Sequence, residues 1–344
     1  MNKLKSIDLA LSSACGANCI FCPTNRGKRI KQKIMPFKYA EKIINEVSQD
    51  FEIQRVSVGE NGDAFLNQDI IKILRLIKLK LPNTKTTLST NFQNFTPDKI
   101  DIILRERLID EFSCNIDGSN EQNYFNTKRL NYKNTMNNLA YFLETRKKLK
   151  HYPPLNVYVI TFHRYLHTIY NNFKFYPSKL KGFNIKKLLK IPDDFLIIKR
   201  QLEKILNTQK DTVTEVRPLA WAEREQFIEK YGTDKINYKK YPCPLFPSIP
   251  NQAFIAPDGS WYMCCLDSNT EIVFGNVIKQ SVKEVYHSPK RKELIKMLQN
   301  REYTRIGGPC KTVNCCQFIS KTKLELIIYK IKRVIFKFKT ILKG

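Results

Sequence analysis

No stretch of this 344-residue sequence is apolar for long enough to span a bilayer. Its N-terminus, MNKLKSIDLALSS, is too short and too polar before the first cysteine to act as a secretory signal. Without an export signal, the ten cysteines do not read as a disulfide scaffold; clustered thiols in a cytoplasmic protein are metal ligands or redox groups. Histidine is scarce, with four in the chain and none before residue 151. A zinc site built on the first cysteines would therefore need a ligand from far along the sequence. Acidic residues are also few, 32 against 59 basic, which leaves a net charge of +27. That charge fits acidic partners such as nucleic acid or anionic lipid, or simply a lysine-rich composition bias. The interleaved aromatic and basic surface of a dedicated RNA module is missing, as are internal repeats and low-complexity tracts.

The length suffices for one large domain and a smaller one, each with its own core. Through the first two thirds, short apolar runs alternate with helical patterns. The runs Ile7–Leu11, Arg55–Val58, Thr86–Ser89, Glu111–Cys114, Asn156–Ile160 and Glu215–Pro218 are expected strands. Lys38–Ser48 and Asp69–Leu79 carry apolar residues at i, i+3, i+4 and i+7, as helices packing on a sheet do. Such alternation predicts an α/β fold with a parallel sheet. The stretch from about 162 to 210 is poorly patterned and predicts a helical interruption. From Tyr241 onward Pro, Cys and Gly become frequent, with short strands expected at Ala253–Ala256 and Trp261–Cys264 around Pro257-Asp258-Gly259.

The loops after the early strands are informative. The first strand runs into Cys15, Cys19 and Cys22; the second into Gly59-Glu60-Asn61-Gly62-Asp63; the third into Thr90-Asn91; the fourth into Asn115-Ile116-Asp117-Gly118. Gly, Asn and Asp are ordinary turn formers. In a parallel sheet, however, all strand ends open on one side, where ligand-binding groups gather. Four such loops in phase describe one site. The C-x3-C-x2-C spacing brings three thiolates together on one loop, and thiolate is the preferred ligand of iron–sulfur clusters. Three cysteines on a four-iron cubane leave one iron open for chemistry.

These motifs resemble those of the radical S-adenosylmethionine superfamily. The resemblance implies a partial (β/α)6 TIM-like barrel over residues 1–225 and a 4Fe–4S cluster on Cys15, Cys19 and Cys22. It implies S-adenosylmethionine bound with help from Phe21, Gly59, Glu60, Thr90, Asn91, Asn115 and Arg129. The family's fourth strand usually ends Ser-x-Asp-Gly, and here Asn115 replaces the serine. The ordering of Cys243, Cys264 and Cys265, Phe274-Gly275-Asn276, then Cys310, Cys315 and Cys316 resembles a SPASM or shorter twitch domain over 240–318. That implies a small β-hairpin-containing domain and one auxiliary 4Fe–4S cluster on Cys243, Cys264, Cys310 and either Cys315 or Cys316, with Cys265 outside the ligand set. A four-cysteine zinc site is the competing reading there.

Cys114, inside an apolar strand, is expected to be a small core residue. Tyr158, Tyr262, Trp221 and Arg217 are candidates for the substrate pocket by position. Residues 320–344 carry Leu324, Ile327, Ile328, Ile331, Ile335 and Phe338 at helical spacing among lysines and arginines. This is a basic amphipathic helix, suited either to the inner membrane surface, as a peripheral contact of a cytoplasmic protein, or to docking on the barrel. The expected activity is reductive cleavage of S-adenosylmethionine to a 5′-deoxyadenosyl radical, which abstracts hydrogen from a substrate, with net oxidation or rearrangement. The electron comes from a flavodoxin- or ferredoxin-like donor. The cysteine loop begins about fifteen residues into the sequence, with no leader-binding domain before it, which tilts the expectation toward a small-molecule or sugar substrate. A peptide or protein brought by a separate partner is the alternative, and a zinc protein binding nucleic acid the remote one.

Overall fold

A computed structural model describes residues 4–19, 22, 33–59, 61–160, 194–216, 243 and 245–311. Its first six strands are β1 (Ser6–Leu9), β2 (Arg55–Val58), β3 (Lys85–Thr90), β4 (Glu111–Asn115), β5 (Leu155–Ile160) and β6 (Thr212–Val216). Neighbours in this series pair parallel and in sequence order. The sixth strand starts earlier than the expected Glu215–Pro218. Its Thr212-Val213-Thr214 alternation is the strand pattern, and Pro218 lies outside the described residues. Helices α1 (Phe37–Asp50), α2 (Ile70–Lys80), α3 (Pro97–Arg105), α4 (Glu121–Lys128) and α5 (Tyr132–Lys148) fill the connections, and α6 (Asp194–Glu203) lies within the expected interruption.

The strands are two-faced. Ile7, Leu9, Val56, Val58, Leu88, Phe112, Leu155, Val157 and Val159 are buried in the core. They share it with Ile43 and Val47 of α1, Ile73 and Ile77 of α2, and Ile100 and Ile103 of α3. Phe112 meets Phe142 of α5 at 4.9 Å and Phe95 at 5.8 Å between ring centres. The alternate positions are polar, and the register lines them up across strands. Asp8 stands beside Ser57, Ser57 beside Thr87 and Thr87 beside Glu111. Farther along, Ser89 stands beside Ser113, Ser113 beside Asn156, and Asn115 beside Tyr158. A parallel sheet covered by helices on both sides reads as continuous apolar runs. This alternation means that the apolar core packs on one face of the sheet, leaving the other lined by polar side chains.

Asp211 fixes the far end of the sheet. Both of its oxygens are held by Arg146 of α5, at 2.6 and 2.9 Å, and Asp211 also accepts from the Leu155 amide at 3.0 Å.

The Pro- and Cys-rich segment extends the same sheet. Strand β7 (Gln252–Ile255) pairs parallel with β1, then β8 (Ser260–Tyr262) and β9 (Val273–Asn276) pair antiparallel, giving an open nine-stranded sheet in the order β6-β5-β4-β3-β2-β1-β7-β8-β9. Because β7 runs with β1, the Pro257-Asp258-Gly259 turn emerges at the edge where the cysteine loop emerges. Lys33 bridges the two, its ammonium 2.7 Å from Asp258. Helices α7 (Val282–His287) and α8 (Pro289–Gln299) follow. The segment docks on α1, where Lys42 donates to the Val277 carbonyl at 2.7 Å and Glu46 accepts from the Val282 amide at 2.8 Å. Arg291 is buried here, 4.3 Å from the Tyr286 ring centre, and donates to the Tyr286 and Pro250 carbonyls. Among the described residues no helix is long and apolar enough to cross a membrane. The expected 320–344 helix lies outside them.

Candidate iron–sulfur and cofactor site

The loop after β1 is closed at its base by the chain's own hydrogen bonds. Met35 donates to the Leu11 carbonyl, and the Ser13 amide to the Lys33 carbonyl, both at 2.9 Å. Asn67, almost fully buried, donates to the carbonyls of Leu11 and Met35 at 3.1 and 2.9 Å, tying both ends of the excursion to the segment after β2. Nothing in the sequence marks this role, because a buried asparagine reads as one more turn former. Gly62 lies directly against the loop, and a Cβ there would stand 2.2 Å from the Ser12 carbonyl oxygen. Gly59 is required twice over, by a φ of +92° and by a Cβ position 2.2 Å from the Ser89 carbonyl oxygen.

The structure brings the three cysteines together. Cys15 and Cys19 lie within electrostatic reach of each other and of Cys22, and the Cys22 amide donates to the Cys19 carbonyl at 3.1 Å. Burial raises the Cys15 thiol and pushes that of Cys19 up to about 12, with its cysteine neighbours adding to the rise and Lys128 opposing it. The site thus penalises bare thiolates, and iron bound there would supply the compensating charge. Among the described residues no three Cys, His, Asp or Glu groups converge on one ion-sized point. A cubane does not ask for that, since each cysteine takes its own iron. An all-sulfur donor set of three fits a 4Fe–4S cluster with one open iron.

Around the loop, Asn91 sets its amide nitrogen 3.8 Å from the Cys15 sulfur while its oxygen accepts from the Gln93 amide at 2.9 Å. Thr90 accepts from the Phe92 amide at 3.0 Å, so its hydroxyl shapes the same turn. Asn115 closes β4, half-buried and level with Tyr158. Arg129 is the left-handed C-cap of α4, exposed, with its guanidinium 5.1 Å from the Phe125 ring centre. The cation that the fold turns inward is its neighbour Lys128, which pairs with buried Asp117 at 2.9 Å. Phe21 and Glu60 lie outside the described residues. So do Arg217 and Trp221, whereas the Tyr262 hydroxyl accepts from the Asn61 amide at a short distance of 2.5 Å. A small open cleft runs between the cysteine loop and the hairpin, lined by Ser13, Lys33, Asn61, Asp258 and Thr270 among others.

Cys243, Cys264 and Cys310 form a second group. Cys310 lies within electrostatic reach of Cys243, and Cys264 of Cys265 and Cys310. Burial raises all three thiols, that of Cys310 to about 12. Asp267 shapes the turn after Cys264 and Cys265 by accepting from the Glu271 and Ile272 amides at 2.9 and 2.8 Å. Cys315 and Cys316 lie outside the described residues. Cys114 is fully buried in β4, where burial pushes its thiol up to about 12. It is an inert core residue.

Two family models match the sequence: the radical SAM superfamily over residues 9–163 and the SPASM iron–sulfur cluster-binding domain over 243–316. Among solved structures, native anSMEcpe with bound AdoMet is similar at a TM-score of 0.53 and 16% identity, over 98% of this chain and 99% of that one. BtrN in complex with AdoMet and 2-DOIA is similar at 0.52 and 15%, over 91% and 94%. SuiB of Streptococcus suis bound to precursor peptide SuiA is similar at 0.52 and 14%, over 86% and 67%. No curated protein sequence matches. With the cysteine triad, the strand-end loops and the second cysteine group in place, the chain carries a radical SAM superfamily domain over residues 9–163 and a SPASM iron–sulfur domain over 243–316.

Proposed function

We propose that this radical SAM enzyme acts on a polar small molecule rich in hydrogen-bonding groups, such as a sugar or aminocyclitol, and oxidises or rearranges it. The observation that supports the substrate class is the polar face of the sheet. Ser89, Ser113, Asn115, Asn156 and Tyr158 occupy adjoining register positions of β3, β4 and β5, on the face opposite the helices and toward the strand ends that carry the cysteine loop. Hydroxyl and amide side chains offer both donors and acceptors, which suits a substrate with many hydroxyl or amine groups. Leaving such groups unmatched would be costly for an apolar ligand.

When bound, the cubane and S-adenosylmethionine supply one electron and a sulfonium whose reductive cleavage gives methionine and a 5′-deoxyadenosyl radical. The chain's own residues prepare for this. Cys15, Cys19 and Cys22 would hold three irons and leave the fourth open. Gly59 keeps the second-strand loop close to β3, and the Thr90-Asn91 turn sits over Cys15. Cys243, Cys264 and Cys310, with Cys315 or Cys316, would hold the auxiliary cluster. The hairpin turn at Asp258 sits beside the cleft, in position to wall off the substrate from water. A flavodoxin- or ferredoxin-like donor would supply the electron.

The test is anaerobic reconstitution with dithionite and S-adenosylmethionine. About eight irons per chain are expected for two cubanes, and 5′-deoxyadenosine that disappears in C15A, C19A or C22A. A panel of sugars and aminocyclitols should raise 5′-deoxyadenosine above the uncoupled rate and take up no solvent deuterium when oxidised. Stimulation by peptides alone would replace the small-molecule reading with the peptide one.

A further inference from the structure

Lys128 is a buried cation beside the cysteine loop, and the proposed function gives it no role. It is 4% exposed and pairs with Asp117, whose side chain is wholly buried, at 2.9 Å. Asp117 also accepts from the Ile160 amide at 2.6 Å, and its carbonyl accepts from the Thr127 hydroxyl at 2.6 Å. One aspartate thus joins the ends of β4, β5 and α4. The link continues to the cysteines through the backbone. Because α4 stops at Lys128, its terminal carbonyl has no partner within the helix. The left-handed Arg129 ends the helix there, and Asn18 donates to the Lys128 carbonyl at 2.9 Å. Asn18 is the residue before Cys19. Lys128 therefore touches the cluster loop through its carbonyl and faces it with its charge. Burial opposes that charge, but Asp117, 2.9 Å away, holds the ammonium above its usual range, so it stays cationic.

We infer that Lys128 is a positioning residue for the first cluster, fixing the Cys19 segment through its carbonyl and raising the cluster's reduction potential through its ammonium. The inference rests on Cys15, Cys19 and Cys22 holding the cubane. Reduction adds one negative charge to the cluster. A cation buried nearby stabilises the reduced form more than the oxidised form, and the low local dielectric keeps that effect from being screened. The electron that must reach S-adenosylmethionine is therefore easier to load. A clamp with no electrical role would require only the carbonyl, which any residue at 128 supplies. It would not require a side chain that stays ionised in the core.

The experiment is a redox titration of the reconstituted holoenzyme followed by electron paramagnetic resonance, in wild type, K128M, K128R and the double variant D117N/K128M. The first cluster's signal is identified as the one missing from C19A, which separates a failure of the cluster assignment from a failure of this inference. In K128M the ratio of reduced to oxidised first cluster at a fixed potential should fall about tenfold, or about 59 mV for a one-electron couple. The auxiliary signal should stay in place, and K128R should recover most of the loss. The double variant leaves no unpaired charge and carries the measurement if K128M does not load. If neither loads iron at the first site while K128R does, the requirement for a cation at 128 also stands. A first-cluster potential in K128M or the double variant equal to wild type overturns the inference. So does a K128R protein that behaves like K128M.

Discussion

The side-chain amide nitrogen of Asn91 lies 3.8 Å from the sulfur of Cys15, while its oxygen caps the turn after β3. The two ends of one amide thus do different work. The oxygen end is local and any aspartate could replace it. The nitrogen end points a donor at the sulfur of Cys15, which we propose as a cluster ligand, and donors to sulfur raise cluster potentials. Replacing Asn91 with Asp keeps the turn and exchanges a donor for an anion. N91D is expected to bind iron as wild type does, to have a more negative first-cluster potential, and to form 5′-deoxyadenosine at least several-fold more slowly with a limiting reductant. Redox titration and product quantitation check this; a wild-type potential in N91D would mean that the contact is only structural.

Much of this site is legible in the sequence, and the reason is geometric. The cysteine spacing and the Gly59, Thr90 and Asn115 loops are each contiguous in sequence, and parallel strands bring their strand-end loops to one edge without further information. The remainder is held by long-range contacts. Asn67 closes the cysteine loop from 32 residues beyond Met35 and 56 beyond Leu11, and nothing local marks it. Arg129 and Lys128 are adjacent cations on an unpatterned helix, so only the helix end decides which one turns inward. The sequence predicts β7 as part of a separate hairpin unit. Its parallel pairing with β1 cannot be read from Gln252–Ile255, because four residues carry no sign of their partner. The polar face is present in the letters, as alternating Ser, Thr and Asn, but its meaning depends on knowing that the strands are parallel.

Cys114 provides a pH prediction free of metal ligation. It is wholly buried, and burial raises its thiol from 9.0 to about 12. Between those values the unfolded chain gives up the proton and the folded chain keeps it. The folded state then binds more protons, so stability falls as pH rises through this window and is unaffected well below it. The slope from one such group is at most about 1.4 kcal/mol per pH unit. Denaturant unfolding of wild type and C114A from pH 8 upward should show the two curves converging above about pH 9. The alanine variant starts lower, because it leaves a small cavity, and loses less. Parallel curves would show that the thiol ionises as readily in the folded state as in the unfolded one.

The Arg146–Asp211 pair holds the β5 end of the sheet, and both side chains are almost completely buried. Asp211 meets four donors: two guanidinium nitrogens at 2.6 and 2.9 Å and the Leu155 and Asn207 amides, each at 3.0 Å. Removing the arginine leaves a carboxylate in the core with two amides and no counter-charge. Breaking a buried pair from one side costs about 3–5 kcal/mol, mainly from the charge left behind. R146M should therefore be destabilised by about that much in denaturant unfolding. R146M/D211N, which removes both charges and keeps an acceptor for one of the two amides, should be distinctly more stable than R146M. This separates the charge from the packing, since Arg146 also lies over the Phe142 ring at 5.0 Å and methionine replaces only part of that contact. Equal losses in the single and double variants would assign the cost to packing. The ends of β5 and β6 would then be held by the apolar face of α5 rather than by the ion pair.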